Sequence, residues 1–181
     1  MVILGTLSDS YMINGDGTSI SPLQIGAPCN NDYYSLGARS AVVFDKLYMF
    51  GGSGVNTSSR KVIVLPFLGT FSLFFKIARF DSCGFVELSV RLNVDFTWGH
   101  STLSNGSEAL ICFGPNNPRY CNIFNGSTVV WTHPSNVKHL WAALGFYKGK
   151  PTAVGGQKDW WNQSVETKSE TGWTSLRNFK E

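Results

Sequence analysis

Three histidines, His100, His133 and His139, are the side chains that would most readily bind a metal ion or transfer protons. His133 and His139 are six residues apart, a spacing that does not place two metal ligands on one face of a helix. A metal site must also meet a strict standard of ligand geometry. We therefore interpret the histidines as turn or strand-edge residues, and we expect no metal and no other cofactor.

The sequence also lacks the motifs of common catalytic sites. A G-x-S-x-G turn, which exposes a nucleophilic serine, does not occur. Gly15-Asp16-Gly17 lacks the third glycine and the following helix of a phosphate-binding loop, and it indicates a turn instead. We therefore expect that the chain is not an enzyme.

Two adjacent tryptophans, Trp160 and Trp161, lie in a polar stretch and are candidates for binding. Tryptophan is enriched among the residues that dominate binding energy at interfaces, and its ring also stacks on sugars. The alternative is that one ring packs beneath a sheet and the other has no role. Loss of binding without loss of folding in the double alanine variant would separate the two interpretations.

Four cysteines are present, and two of them, Cys112 and Cys121, flank a turn-rich stretch. If that stretch closes a hairpin, the two thiols face each other and form a disulfide in an oxidising compartment. The alternative is a pair of buried thiols that pack as small apolar groups. No C-x-x-C motif occurs, so a zinc or thioredoxin-like site is not expected.

Glycosylation sequons and the first residues of the chain bear on the cellular compartment. N-x-[ST] sequons occur at Asn56, Asn105, Asn125 and Asn162. Asn105 and Asn125 are the candidate N-glycosylation sites, although each also begins an Asn-Gly turn. The first residues lack the basic start and long apolar core of a signal peptide, so an extracellular location is an alternative only.

Composition and charge exclude several classes of protein. With 43% hydrophobic residues the chain is expected to fold rather than remain disordered. The net charge is +3 and no cluster of lysine and arginine occurs, so we expect no nucleic-acid partner. The uncharged run at residues 62–75 is shorter than the roughly 20 apolar residues of a membrane span, and its Pro66 and Gly69 disfavour a helix. We therefore do not expect this run to span a membrane.

A repeated pattern organises the chain into four-stranded units. Residues 38–52, 100–114 and 142–156 each read as an apolar strand, a polar turn and a second apolar strand that ends in glycine. Two further short strands follow each glycine, and residues 2–15 read as part of another unit. The glycines that close the second strands are 47, 62 and 42 residues apart, and a period near 45 is typical of propeller blades.

Residues 62–75 account for the one long spacing. Their removal leaves a normal third strand after a short loop, so the run is inserted into a unit. We interpret it as translated non-coding sequence; the alternatives are a loop that packs on the sheet or on a partner, and a strand that extends the blade. Sequencing the transcript across residues 61–76 would separate these interpretations.

The glycine-terminated hairpins resemble kelch repeats, in which a hydrophobic run precedes a diglycine and a tryptophan lies in the last strand. The diglycines at 51–52 and 155–156 match this pattern, and so does Trp173. The first unit has Phe85 in place of the tryptophan, and the second has only Gly114, with its Trp131 out of register. No unit has the tyrosine that the family usually has six residues before the tryptophan; in the third unit this position, 167, is threonine. The repeat-defining residues are Gly51, Gly52, Gly114, Gly155, Gly156 and Trp173.

The resemblance implies an all-β fold, a partial kelch-like β-propeller of about three full four-stranded blades and a half blade. The predicted boundaries are 1–34 for the partial blade, 35–90 for the blade with the apolar insert, 91–131 and 132–176 for two further blades, and 177–181 for a tail. At about 45 residues per blade the chain is too short to close a propeller alone. We therefore expect it to require the rest of a larger propeller or another copy of itself.

The resemblance further implies a non-catalytic scaffold that binds a protein partner through the loops at one propeller face. The candidate contact residues are Tyr33, Tyr34, Arg119, Trp160 and Trp161. The alternative is a secreted glycan-binding or galactose-oxidase-like propeller. The copper site of the oxidase requires tyrosine and histidine ligands, and we find no matching set in this sequence.

Overall fold

All regular elements of the chain are β-strands in the residues that the structure describes. These residues, in a computed structural model, are 2–5, 10–13, 20–23, 37–52, 77–81, 84–96, 98–158, 160–161 and 163–176. The prediction of an all-β fold is confirmed. Over the same ranges we find no helix with the length and hydrophobicity that crossing a membrane requires. The apolar insert predicted at 62–75 lies outside the described residues.

The strands form four main antiparallel sheets, which we number I to IV along the chain. Sheet I contains β1 (Val2–Gly5), β2 (Ser10–Ile13) and β3 (Ile20–Leu23). Sheet II contains β4 (Arg39–Val43), β5 (Lys46–Phe50), β6 (Ile77–Asp81) and β7 (Gly84–Glu87). Sheet III contains β8 (Ser101–Ser104), β9 (Ala109–Gly114), β10 (Asn117–Phe124) and β11 (Val129–Thr132).

Sheet IV repeats this order with a small insertion. Its strands are β12 (Ala143–Tyr147), β13 (Lys150–Val154), β16 (Val165–Ser169) and β17 (Gly172–Ser175). The hairpin of β14 (Gln157–Lys158) and β15 (Trp160–Trp161) lies between β13 and β16 in the chain. Sheets II, III and IV therefore have the four-stranded order that the repeat predicts, whereas β3, β14 and β15 were not predicted.

The first strands of sheets II, III and IV are neighbours. The Thr102 hydroxyl of β8 donates to the Ser40 carbonyl of β4 at 3.0 Å, and the Ser101 hydroxyl of β8 donates to the Ala142 carbonyl next to β12. The turn after β4 is bonded to the turn after β8 through the Phe44 N–H and the Gly106 carbonyl, at 2.7 Å. The three sheets are therefore joined along their first strands.

Two apolar cores fill the spaces between these sheets. Strand β9 is buried along its whole length because its residues serve both cores alternately. Ala109 and Ile111 belong to the core with sheet II, and Leu110 and Cys112 to the core with sheet IV. Trp173 of β17 belongs to the second core and lies 5.8 Å from the ring of Phe113, measured between centroids. Period-two alternation thus supplies both faces of the central sheet.

Strand register explains why only one of the two last-strand tryptophans is buried. Trp131 is paired with Asn122, and the pair at the equivalent place in sheet IV is Ser175 and Glu166. Trp131 therefore occupies the position of a serine rather than that of Trp173. In keeping with this register, Trp131 is exposed while Trp173 is buried.

The glycines that close the second strands allow the connections between sheets to pass very close to them. A Cβ atom on Gly51 would overlap the Phe96 carbonyl, and one on Gly156 would lie 2.8 Å from the Leu140 carbonyl oxygen. Both glycines have positive φ, +62° and +104°. Only glycine meets both requirements without strain.

The hairpin of β9 and β10 carries the cysteine pair. Cys112 and Cys121 are paired residues in the antiparallel register, with Cα atoms 4.1 Å apart. Their sulfur atoms are joined in a disulfide, and both residues are fully buried. The bond therefore ties the two central strands of sheet III inside the core with sheet IV.

We expect reduction of the Cys112–Cys121 bond to lower the free energy of unfolding by about 2–3 kcal/mol, because the bond restricts the unfolded chain. Urea denaturation with and without a reducing agent measures the difference. The double variant C112A/C121A is the control, since its stability should not respond to the reductant. An unchanged midpoint for the original chain would contradict the prediction.

Candidate functional site

Two connections between sheets build the candidate site. The first crossover, residues 88–100, joins sheet II to sheet III, and the second crossover, residues 133–142, joins sheet III to sheet IV. Neither crossover contains a regular strand among its described residues. Their backbone groups must therefore find hydrogen-bond partners outside a sheet ladder.

A buried carboxylate, Glu166 of β16, provides several of those partners for the second crossover. One of its oxygens accepts the side-chain N–H of Asn136 at 2.7 Å, and the other accepts the Val137 N–H at 3.2 Å. The Ser175 hydroxyl donates to the same carboxylate at 3.2 Å. The ring of His139 completes the set, with Nε2 2.9 Å from the carboxylate. Glu166 and His139 are both fully buried.

Both ring nitrogens of His139 have hydrogen-bond partners. Nδ1 lies 2.7 Å from the carbonyl oxygen of Gly155, which can only accept, so Nδ1 carries a hydrogen. Nε2 faces the Glu166 carboxylate, which also only accepts when it is ionised. Both ring nitrogens therefore face hydrogen-bond acceptors, and the ring is paired with Glu166 inside the protein.

The pKa of Glu166 supports the ionised carboxylate. Burial by itself raises this pKa, but hydrogen bonds from the Val137 backbone, His139 and Asn136 lower it more. The pKa of Glu166 therefore lies below its usual value. A buried carboxylate stays ionised only when it is satisfied in this way.

Arg119 and Trp173 hold the same crossover from other sides. The Arg119 side chain donates to the Ser135 carbonyl at 2.6 Å, and the Ser135 N–H donates back to the Arg119 carbonyl at 2.8 Å. The Trp173 indole N–H donates to the His133 carbonyl at 3.0 Å. Arg119, expected from the family resemblance to contact a partner, is thus exposed but bonded to the second crossover.

The first crossover is held by the equivalent residue of sheet III. Asn122 of β10 is paired with Ile111, and Glu166 is paired with Ala153, each paired residue three positions before the closing glycine. The Asn122 side-chain oxygen accepts the Asn93 N–H at 2.8 Å. The third strand of each of these two sheets therefore uses a buried polar side chain to fix the crossover that precedes its sheet.

His100, at the end of the first crossover, is neutral rather than charged. Burial, aided by the positive charge of Arg39, lowers the pKa of His100 to about 4, although a hydrogen bond to the Phe50 carbonyl opposes the shift. Nε2 lies 3.2 Å from that carbonyl oxygen. Nδ1 is buried and has no hydrogen-bond partner among the described residues. His100 and His139 are thus buried, unlike the strand-edge histidines expected from the sequence, whereas His133 is exposed.

The two crossovers bring two exposed tryptophans together at the start of β8 and β12. Trp98 is 43% exposed and Trp141 is 53% exposed, and their ring centroids are 5.3 Å apart. The Trp141 N–H donates to the Gly99 carbonyl at 2.8 Å, and Trp141 has a φ of +60°. Arg39, at the start of β4, is exposed and donates to the His100 carbonyl at 3.2 Å. Trp98, Trp141 and Arg39 form what we call the tryptophan face.

Gly99 permits the close approach of the two crossovers. It has a φ of +68°, and a Cβ atom there would lie 2.6 Å from the indole nitrogen of Trp141. Any side chain at this position would displace the Trp141 ring. The tryptophan face therefore depends on a glycine between Trp98 and His100.

Of the other predicted contact residues, the structure describes the two tryptophans but not the two tyrosines. Trp160 and Trp161 form β15, which is paired with β14. Gln157 of β14 donates through its N–H to the Leu140 carbonyl, so the β14–β15 hairpin joins the chain next to Trp141. Tyr33 and Tyr34 lie outside the described residues.

The sequence interpretation did not identify Trp98, Trp141 or the Glu166–His139 pair as functional. Each tryptophan is isolated in the sequence, and each lies two or three residues before the first strand of a unit. That shared position was the available signal. The equivalence of Glu166 and Asn122 has no such signal, because Glu166 lies 10 residues after Gly156 whereas Asn122 lies 8 after Gly114, and only the strand pairing matches them.

Comparison with known proteins supports the fold alone. No protein-family model and no curated protein matches the sequence. Among solved structures, one titled "Structure of YjhT" matches with a TM-score of 0.67 and 15% sequence identity, over 95% of this chain and 59% of that one. The chain therefore spans 59% of the length of that structure. In the described part of the chain, no three His, Cys, Asp or Glu residues are grouped so that they could hold a metal ion.

We expect Glu166→Gln to lower the free energy of unfolding at pH 7 by about 1–3 kcal/mol, because the amide nitrogen of glutamine cannot accept the hydrogen bonds that one carboxylate oxygen accepts. The folded pKa of Glu166 is below its usual 4.5, so this stabilisation is present above pH 4.5 and is lost as the pH falls through the folded pKa. The difference between variant and original chain should therefore shrink below about pH 4 in urea denaturation.

The exposed Glu108 provides the matched control for this experiment. Glu108→Gln should change the stability by less than about 0.5 kcal/mol, as surface substitutions usually do. A Glu166→Gln deficit that stays constant from pH 7 to pH 3 would contradict the role of the ionised carboxylate.

Proposed function

We propose that the chain is a non-catalytic binding scaffold built as part of a kelch-like β-propeller, with the tryptophan face as its binding surface. The observation that carries this proposal is the exposed pair Trp98 and Trp141, whose rings lie against each other. Its preferred occupant is a protein partner. This is the function that the sequence pattern implied, at a site that the sequence did not identify.

Three features support the propeller. Sheets II, III and IV have the same antiparallel four-stranded order, and their first strands lie side by side. Glycines close the second strands where the crossovers pass. Strands in a propeller blade follow this order, with the first strand nearest the axis. A solved structure matches 95% of the chain with a TM-score of 0.67, so this arrangement of strands recurs in another protein.

The energetics of the tryptophan face favour binding. A tryptophan buries about 150–250 Å² when it is covered, so covering the exposed half of each ring removes about 100 Å² of apolar surface. At about 25 cal/mol per Å² this amounts to about 2–3 kcal/mol for each ring. Arg39 adds a charged group of the type that is enriched in binding hot spots, next to the same crossover.

The face is also held rigid before any partner arrives. The crossover that carries Trp141 is fixed by the Glu166 carboxylate and by the Arg119 side chain. The ring of Trp98 contacts Trp141, whose backbone is bonded to Gly99. A surface whose side chains are already ordered loses less entropy on binding.

A glycan is the second candidate occupant, and the geometry of the pair is the observation that favours it. The two indole ring centroids are 5.3 Å apart and their planes are inclined by 33°, so the pair offers two adjacent aromatic rings. Aromatic faces of this kind pack against the apolar side of sugar rings. The buried disulfide is consistent with the oxidising compartment in which such ligands occur.

We expect the double variant W98A/W141A to weaken binding to a selected peptide at least tenfold, because two anchoring rings are removed. The probe is a peptide obtained from a displayed random library selected on the original chain, and its dissociation constant is measured by calorimetry. A glycan array probed with the same proteins tests the second occupant.

A second exposed aromatic pair supplies the matched control. Tyr120 and Trp131 lie on the neighbouring strands β10 and β11 of sheet III, and their ring centroids are 5.6 Å apart. The variant Y120A/W131A should bind the peptide as the original chain does. If W98A/W141A and Y120A/W131A lost equal affinity for the peptide, the tryptophan face would not be the binding site. If the original chain bound sugars but no peptide, the ligand would be a glycan rather than a protein.

A further inference from the structure

An apolar groove opens between sheets III and IV, at the end of β8 opposite the tryptophan face. Its volume is ≈ 130 Å³. Five apolar side chains from both sheets line it: Leu103, Leu110, Ile123, Phe146 and Pro151. The polar residues at its edge are Asn105, Glu108 and Lys168.

The groove leaves apolar surface in contact with water. Phe146, one of its lining residues, is 50% exposed. The groove is therefore neither filled by the core nor lined by charged residues alone. A covering group would need an apolar side for Phe146 and polar atoms for Glu108 and Lys168.

Asn105 is the residue at the edge of the groove that can carry such a group. It begins the sequon Asn105-Gly106-Ser107 and is exposed. Its Oδ1 accepts hydrogen bonds from the Ser107 N–H at 3.0 Å and the Glu108 N–H at 2.8 Å. No described residue accepts a hydrogen bond from its Nδ2 atom, so the folded turn accommodates a substituent on that nitrogen.

We propose that Asn105 is N-glycosylated and that its first N-acetylglucosamine covers the groove, with the sugar ring packed on Phe146. In this modification Nδ2 forms a bond to the anomeric carbon of a lipid-diphosphate-linked oligosaccharide. The bond from that carbon to the diphosphate oxygen breaks, the lipid diphosphate leaves with the electron pair, and Nδ2 loses one proton. The C–H groups of the sugar then lie against an aromatic face.

This inference does not depend on the tryptophan face. Asn105 follows the last residue of β8, whereas Trp98 precedes the first, so a glycan at Asn105 leaves the tryptophan face uncovered. The two proposals can therefore fail separately.

Asn125 provides a matched control within the same sheet. It begins the sequon Asn125-Gly126-Ser127, and its Oδ1 accepts the Ser127 N–H at 3.1 Å and the Thr128 N–H at 2.8 Å. The two turns therefore have the same construction. Asn125 does not line the groove.

The full chain, secreted from a eukaryotic cell behind an added leader peptide, tests the proposal. Peptide mass spectrometry after peptide-N-glycosidase treatment in H₂¹⁸O should show conversion of Asn105 to Asp with incorporation of ¹⁸O. Endoglycosidase then trims the glycans to one sugar. We expect this trimmed chain to melt about 3 °C above the Ser107→Ala variant, which loses the Asn105 sequon but retains the asparagine.

Three comparisons complete the test. The trimmed Ser127→Ala variant, which loses only the Asn125 sugar, should have the same melting temperature as the trimmed original chain. The Ser107→Ala difference should disappear in protein made in bacteria, and it should also disappear on a Phe146→Ser background. An unmodified Asn105, or equal melting of the two serine variants in the secreted protein, would overturn the proposal.

Discussion

The burial of the Glu166 carboxylate is the constraint on which the second crossover and the tryptophan face depend. A charged group that is removed from water must receive hydrogen bonds from the protein, or the charged form becomes too costly. Glu166 receives them from the backbone and side chains of residues 136–139 and from Ser175. The chain between sheets III and IV is therefore held in one path, and Trp141 is held with it.

The same arrangement recurs in sheet III with weaker chemistry. Asn122 occupies the position of Glu166 and fixes the first crossover with a single neutral hydrogen bond to Asn93. Its own side-chain nitrogen is buried and has no partner among the described residues. A neutral amide costs less to bury than a carboxylate, so an incomplete set of partners is tolerated there. The repeat thus preserves the position of the polar contact while its strength varies.

Glycine and polar contacts act together in this fold. Gly51 and Gly156 let each crossover lie against the sheet, and the buried polar side chains then bond the backbone that has come close. Neither device suffices alone, because a close backbone without partners leaves unpaired amide groups. The two ends of β8 also differ from each other. Crossovers converge at its start, whereas a tight Asn-Gly turn leaves an open groove at its end.

The amino-acid sequence by itself determined the three complete four-stranded units, with their strands and the antiparallel order of those strands. It could do so because period-two alternation, Asn-Gly turns and terminal glycines are local signals. It also indicated the Cys112–Cys121 pair, since a turn between the two cysteines fixes their register. Strands as short as β14 and β15 carry too few residues to show a period, and they were missed.

The candidate site was decided only by the tertiary structure. Trp98 and Trp141 are 43 residues apart in the sequence, and nothing local predicts that their rings meet. The burial of His139 and Glu166 likewise depends on how sheet III packs on sheet IV. Local pattern determines which face of a strand is apolar, but the packing of sheets decides which distant side chains become neighbours, because that contact forms only when separate units join.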